Sequence, residues 1–597
     1  MCIGRLYITP GSITRISSDV IIFSTDRNIS GNGEMQASFE NDIQGFKDEL
    51  NKLKTSLGGK LANSGAAFWL DCRNKRLQGV VVAVATGRGL DLAEKAFNVT
   101  KNSLSLAFSN IKERSQEFPL LIALPFFLSG RGGGHRDLPT IAEAQIKAAH
   151  EFVRINDADV VIVAYTVGDY HELIAARKKL KQEELRDGSP KAQADGIPLS
   201  LLNSLKSKEC AIFIGSGMSV GSSLPGWNKI IKSLSAVLGL NALDEKTDID
   251  HFLDLAQWYR EAGKDPSIEE MIKQNFSVVK SGALPTVAHY LLGALPSRFY
   301  LTTNYDNLVE YALDALRKYP FRVVSNDDAA QTGGFDGSYI IKLHGCVDHE
   351  KEIVLSRDDY EDFLYSRPAL ALLLESLLLN HSFLFLGYSL KDPDFRSINH
   401  RIAGILKGAK RPAFSLTFDA INEFQETQWR KKQIELMEIK GKNSIEKTRT
   451  MFSFLDVLLE EVCEDDIRLL NKKCRDATRN DTNAGRNELV TLWNKLSNLG
   501  AEMLDYAGLI ETASRTEILA YSAALRLFAD LGLNIDDRGK FSEIFLKLED
   551  SDFLNNADRY NLLQAALKYC RDVKSAEMIK KKIRSIDFFN PNDSTKP

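Results

Sequence analysis

Four apolar runs punctuate the first part of the chain: Val20-Ile21-Ile22-Phe23, Val80-Val81-Val82-Ala83-Val84, Leu120-Leu121-Ile122-Ala123-Leu124 and Val160-Val161-Ile162-Val163-Ala164. Each is short and mostly aliphatic, three of them rich in β-branched residues, which predicts buried strands. Helical patterns near 91–112 and 139–156 lie between them. Strands alternating with helices predict an α/β sandwich over residues 1–175. Residues 176–199 then turn polar, from Arg177-Lys178-Lys179 into a Gly/Ser/Pro/Asp-rich stretch, and read as a linker or an exposed helix end.

The rhythm resumes over 200–445. Strands are predicted to end at Ile214, Thr303, Leu343 and Leu386, with two more at Ala413–Thr417 and Ile434–Glu438. Residues 228–295 carry helical periodicity and few strand signals, which predicts a helical insertion over the sheet. From 446 to 597 the pattern is almost wholly helical, with Leu469, Leu470, Leu489, Leu492, Leu496 and Leu499 among charges. The expected architecture is therefore an α/β sandwich, a Rossmann-like α/β domain with a helical insertion, and an all-helical C-terminal domain.

Composition narrows the partners. The net charge of -4 gives no global electrostatic case for nucleic acid or an anionic membrane. No stretch reaches the ~20 apolar residues of a membrane span, and the N-terminus lacks the form of a signal peptide, so a cytoplasmic location is expected. The seven cysteines are scattered, and no pair has C-x-x-C spacing. Neither a disulfide framework nor a structural zinc site is expected, and no metal is called for.

Candidate chemistry sits at the ends of the apolar runs in the second unit, where open α/β sheets bind ligands. Gly215, Ser216, Gly217 and Ser219 follow one strand; glycines there allow close backbone approach to a pyrophosphate, although a plain glycine turn has the same pattern. Thr303, Asn304 and Asp306 follow another. Asn304 is an uncharged amide able to hydrogen-bond a ribose or a water, and the same residues also suit a turn cap. His344 ends a third strand, as a candidate general base near neutral pH or a satisfied core histidine. Gly387 and Ser389 follow a fourth.

Jointly these segments resemble the sirtuin family, in its bacterial antiphage-defence branch that includes the NAD-degrading effectors of Thoeris systems. The resemblance covers roughly 205–440. It rests on Tyr300-Leu301-Thr302-Thr303-Asn304-Tyr305-Asp306, Lys342-Leu343-His344-Gly345, Ser356-Arg357-Asp358-Asp359-Tyr360, and Phe383 to Asp394. It implies NAD as substrate, with Gly215, Ser216, Gly217 and Ser219 lining the pyrophosphate. Asn304 would position the nicotinamide ribose and a water, Asp306 would support that loop, His344 would meet the ribose hydroxyls, and Ser389 would lie near the adenosine half. Protein-deacylating sirtuins carry a four-Cys zinc module and a Pro-x-Phe-Arg element; this chain has neither, since Pro225 leads to Gly226-Trp227. Water is then the expected attacker at the anomeric carbon.

The N-terminal unit resembles a macrodomain, through Gly11-Ser12-Ile13-Thr14, Ser18-Asp19-Val20-Ile21-Ile22, Gly31-Asn32-Gly33 and Ser129-Gly130-Arg131-Gly132. The resemblance implies an ADP-ribose-type ligand near Asp19, Gly31, Gly33, Ser129, Gly130, Arg131 and Gly132. Ser12 replaces the acid that usually reads adenine, and Asp26 stands where the usual distal-ribose Asn is expected, which favours binding over hydrolysis. A scaffold that binds nothing is the plainer alternative.

The combined reading is an NAD+ glycohydrolase acting in abortive antiphage defence. Its expected partners are an ADP-ribose-type or cyclic nucleotide activator, a phage-protein or defence-partner trigger, and further copies of itself in a homo-oligomer. Two rivals stand beside it: an NAD-dependent protein deacylase or ADP-ribosyltransferase, and a catalytically idle NAD- or ADP-ribose-binding sensor.

Overall fold

The computed structural model describes residues 3–462 apart from 31–32, 74–75, 87–90, 129–137, 166, 187–196, 223, 226, 241–248, 317–320, 328–336, 350–351, 389, 391–394, 396–398 and 401–410, together with 563 and 577–582. The helical C-terminal domain expected over 446–597 falls mostly outside the described residues.

The first sheet forms from β1 (Leu6–Pro10), β2 (Val20–Thr25), β3 (Ala67–Leu70), β4 (Gly79–Val84), β5 (Leu121–Pro125) and β6 (Asp159–Ala164), in the order β1-β6-β5-β2-β4-β3. Every neighbouring pair is parallel except β3 with β4. β4 and β6 are buried along their whole length, as sheet strands covered on both faces must be. On one side Phe23, Phe39 and Phe46 form a tilted cluster with centroids 4.8–5.1 Å apart. Helices Leu92–Asn110 and Leu138–Ile155 pack together over the sheet.

The second sheet is parallel throughout, in the order β13-β12-β11-β7-β8-β10-β9. Its strands are β7 (Cys210–Ile214), β8 (Phe299–Thr302), β9 (Phe321–Val324), β10 (Ser338–Lys342), β11 (Ser382–Leu386), β12 (Ala413–Thr417) and β13 (Ile434–Glu438). The chain runs outward from β7 on one side, then crosses to β11 on the other. The switch point therefore lies between β7 and β11, where such sheets open a crevice at their carboxyl edge. Helices Trp227–Val237, Ile249–Glu261 and Ile268–Phe276 interrupt the sheet between β7 and β8, as expected. Their core includes Tyr305, Cys346, Val347, Ile353 and Leu355, so the insertion packs on the loops that leave β8 and β10.

Residues 176–186, where a linker or an exposed helix end was expected, continue helix Val167–Arg186. One boundary differs from the sequence reading. Helix Ser444–Val462, expected to open the C-terminal domain, belongs to the same compact unit as both sheets, which extends to Cys463. It is anchored there by buried contacts: Phe452 meets Tyr7 edge-on at 5.7 Å, and Arg449 Nε donates to Asp159 Oδ1 at 2.8 Å. Arg177 pairs with Asp456 and Glu460.

The two sheets also share a seam. Helix Val287–Ala294 is wholly buried and lies against β1. Tyr290 fills the space beside Gly11, where a Cβ would fall 2.4 Å from its ring, and its hydroxyl donates to Ser12 O at 3.3 Å. Ser17 N donates to Pro285 O at 2.8 Å. No helix among the described residues is long and apolar enough to cross a membrane.

Candidate active site

Four of the expected segments arrive together at the carboxyl edge of the second sheet, following β7, β8, β10 and β11. The loop after β7 is drawn tightly onto the end of β11. Gly215 N donates to Leu386 O at 2.8 Å, and Gly217 N to Gly387 O at 3.1 Å. A Cβ on Gly215 would sit 2.3 Å from Gly387 O, and Gly387 itself has φ +61°, so side chains are excluded on both partners.

The loop then forms two short 3-10 turns, Ser216–Met218 and Val220–Ser222, before the long helix begins at Trp227. Met218 N and Ser219 N donate to Gly215 O and Ser216 O at 3.1 Å each. These glycines thus serve backbone-on-backbone packing, and four of the loop's amides are taken up within the fold. Ser219, expected beside a pyrophosphate, turns its hydroxyl toward the loop after β8.

That hydroxyl donates to Asp306 Oδ2 at 2.7 Å. Its lone pair accepts from Asn304 Nδ2 at 2.9 Å, and the same Nδ2 donates to Gly215 O at 3.1 Å. Because Asp306 accepts the serine proton, Ser219 must accept from Asn304, and this fixes which way the amide faces. Asn304 Oδ1 is left buried without a hydrogen-bond partner within the protein. A buried acceptor without a donor costs roughly 1–3 kcal/mol unless a water or ligand supplies one. Asp306 Oδ1 accepts from Leu308 N at 3.1 Å, and Thr302 Oγ1 donates to Ile214 O at 2.8 Å, tying the β8 loop to β7. Thr303 is half-buried between them.

Beneath the loop lies a buried charge that sequence reading did not single out. Lys342 Nζ, wholly inaccessible, contacts Asp306 O at 2.6 Å, Glu310 Oε1 at 2.8 Å, Asn307 Oδ1 at 3.0 Å and Tyr305 O at 3.2 Å. Burial works against the ammonium, but Glu310 and the neighbouring acceptors outweigh it and hold its pKa above the usual lysine range. A lysine in a strand expected to be buried was the available signal. His289 is a second buried titratable group, a neutral one: its Nδ1 accepts from Thr286 N at 3.2 Å, and burial pushes its pKa down to about 4, with Asp306 opposing.

His344 is buried two residues past Lys342, with Nδ1 3.3 Å from the Tyr360 hydroxyl. Gly345, at φ +88°, lets the chain turn where a Cβ would fall 2.1 Å from Glu352 O. Ser389 lies outside the described residues.

Of the N-terminal candidates only Asp19 and Gly33 are described, and these two are not brought together. Asp19 precedes β2, at the amino edge, where its carboxylate accepts from Leu121 N at 2.8 Å and Arg76 Nη2 at 3.0 Å. Gly33 begins helix Gly33–Asp42 after the carboxyl end of the same strand. Asp19 is therefore a strand-pinning residue on the far side of the sheet from Gly33. Asp26 organises the loop after β2, accepting from Asn28 N at 3.0 Å and Ser30 N at 2.9 Å. Gly31, Ser129, Gly130, Arg131 and Gly132 lie outside the described residues. Among the described residues, no group of three or more His, Cys, Asp or Glu side chains is placed to hold a metal ion.

Comparison with known proteins finds relatives for part of the chain. The NAD(+) hydrolase ThsA of Cytobacillus dafuensis is 31% identical over 201 residues, covering 34% of this chain and 39% of that protein. The NAD(+) hydrolase ThsA of Bacillus cereus (strain MSX-D12) is 30% identical over 211 residues, covering 35% and 43%. Defense-associated sirtuin 2 of Bacillus subtilis is 24% identical over 225 residues, 37% of this chain and 22% of that protein. The chain thus spans about two fifths of the length of the ThsA relatives. A solved macrodomain of Oceanobacillus iheyensis with ADP covers 30% of this chain and 92% of its own, at 19% identity and a TM-score of 0.26. Residues 298–437 match the SIR2-like domain family, a span that holds both Asn304 and His344.

Proposed function

We propose that residues 200–445 hydrolyse NAD to nicotinamide and ADP-ribose. The observation that carries this reading is the Asn304 amide, whose orientation is fixed by Ser219 and Asp306 and whose Oδ1 is buried and unpartnered. Such an acceptor suits a water or a ribose hydroxyl. The reaction asks little else of acid catalysis. When the C1′–N bond breaks, its electrons return to the pyridinium, and nicotinamide leaves neutral. The ribosyl cation needs a held water and a shielded site. The water oxygen bonds to C1′, and the proton it sheds goes to His344. The helical insertion, packed against the loops after β8 and β10, supports shielding from bulk solvent.

Nicotinamide release by the purified protein tests this, beside Asn304→Ala and His344→Ala. Release by water alone, lost in both variants, is expected. Release only with an acyl-lysine or protein acceptor would favour a transferase, and NAD binding without turnover would favour the idle sensor. The name of one relative, defense-associated sirtuin 2, supports a role in defence; we read that defence as antiphage and depletion of NAD as its abortive outcome, in the cytoplasm.

The first sheet is read as the sensor for an ADP-ribose-type or cyclic nucleotide. The seam supports coupling: Tyr290 rests on Gly11, and the adjacent His289 interacts with Asp306. Activation by a nucleotide, by a phage-protein or partner trigger, or by homo-oligomer assembly each supplies the differential binding that control requires.

A further inference from the structure

His344 is tied to the helical insertion through one side chain. The rings of His344 and Tyr360 meet edge to face with centroids 5.0 Å apart, and Phe363 lies 6.5 Å away. Tyr360 belongs to the short helix Arg357–Glu361, whose Ser356 and Asp359 form a reciprocal cap. That helix is strapped to Ile249–Glu261. Arg260 Nη1 donates to Asp359 Oδ1 and to Ser356 Oγ, each at 2.8 Å, and Arg357 Nε donates to Asp254 Oδ1 at 2.7 Å.

A neutral imidazole carries one proton, so the partner of one nitrogen decides the role of the other. If the phenol donated to Nδ1, Nε2 would carry the proton and could not accept one. The 3.3 Å contact admits either direction, but a ring that is to take up a proton at Nε2 must carry its own on Nδ1 and donate it to the phenol oxygen. We propose that Tyr360 is a positioning residue whose hydroxyl oxygen accepts the Nδ1–H of His344, fixing the ring and leaving Nε2 as the atom that takes up a proton. The purpose of this contact rests on the NAD-hydrolysis reading; its geometry does not.

Two measurements separate the contact from its purpose. In the full-length protein labelled with 15N-histidine, long-range 1H–15N spectra report the tautomer of His344, assigned by its loss in His344→Gln. The neutral ring is expected to be protonated on Nδ1, and Tyr360→Phe, which keeps the aromatic packing, is expected to move that population toward Nε2. Nicotinamide release at saturating NAD should fall about ten- to hundredfold in Tyr360→Phe, with half-saturation changed less than about threefold. A wild-type proton on Nε2, or a Tyr360→Phe enzyme with unchanged tautomer and turnover, overturns the proposal. The expected tautomer shift without nicotinamide release in any variant would leave the contact standing and sink the hydrolase reading instead.

Discussion

Replacing Lys342 by Met removes a buried cation and keeps most of its volume. Four acceptors lose their shared donor, and Glu310, whose Oε2 already lacks a partner, becomes an uncompensated buried carboxylate. Burial pushes the Glu310 carboxyl up, and Lys342 opposes it. Breaking such a pair from one side costs about 3–5 kcal/mol. If the β8 and β10 loops open as a local unit, about 4 kcal/mol corresponds to roughly a thousandfold faster amide exchange there. Hydrogen exchange read by mass spectrometry on peptides covering 299–310 and 338–346 measures this without assuming two-state unfolding of a large chain. Adding Glu310→Leu should recover most of the protection, since an apolar pair replaces the orphaned charge. Turnover should stay low in the double variant, because the carbonyls of Tyr305 and Asp306 still lack their anchor. Wild-type exchange in Lys342→Met, or a double variant no better protected than the single, would refute the reasoning.

Four further outcomes are expected. His289 has its pKa lowered to about 4 by burial, so the unfolded chain binds its proton first as pH falls; stability present above about pH 6.5 should decline toward pH 4 by ~3 kcal/mol, and His289→Gln should flatten that part of a urea-midpoint profile. Gly215→Ala places a Cβ 2.3 Å from Gly387 O; NAD binding by calorimetry should be lost or weakened more than about tenfold, and ordinary affinity would show that the two loops can part at little cost. Asp306→Asn lets the Ser219 hydroxyl turn and the Asn304 amide flip; nicotinamide release should drop about hundredfold while the melting temperature changes by only a few degrees. Tyr290→Ala empties a fully buried seam position and should destabilise by about 3–5 kcal/mol, read as increased exchange on both sides of the seam, in β1 and in helix Val287–Ala294.

Most of the strands that sequence patterning made visible are buried on both faces; β13, a partly exposed edge strand, is the exception. β4 and β6 are continuous aliphatic runs and fall where expected. β9, Phe321–Val324, was missed because it is a four-residue edge strand with an exposed Arg322, too short and too polar to stand out from a loop. The placement of Asn304, His344 and Gly387 just past strand ends was readable from the apolar runs that precede them. The role of Ser219 was not, since it depends on a hydroxyl meeting Asp306 across 87 residues of chain. For Lys342 the sequence offered only a charge in a strand expected to be buried; the packed fold supplies the four acceptors that hold it there. Asp19 misled because adjacency to a strand does not say which edge of the sheet it occupies.

Helix Ser444–Val462 completes the flank of the first sheet, against Tyr7 and Asp159, yet about 280 residues separate it from the end of β6. At ~5–20 residues per second, a ribosome needs roughly 15–60 s to supply that missing wall after β6 has emerged. For that interval the nascent sheet stands with one side bare and Asp159 without its arginine. The whole second sheet is made in the meantime, including every loop of the candidate site. The stretch that closes the older half of the molecule is therefore delivered only after the younger half has been translated, so that neither half is finished on its own schedule.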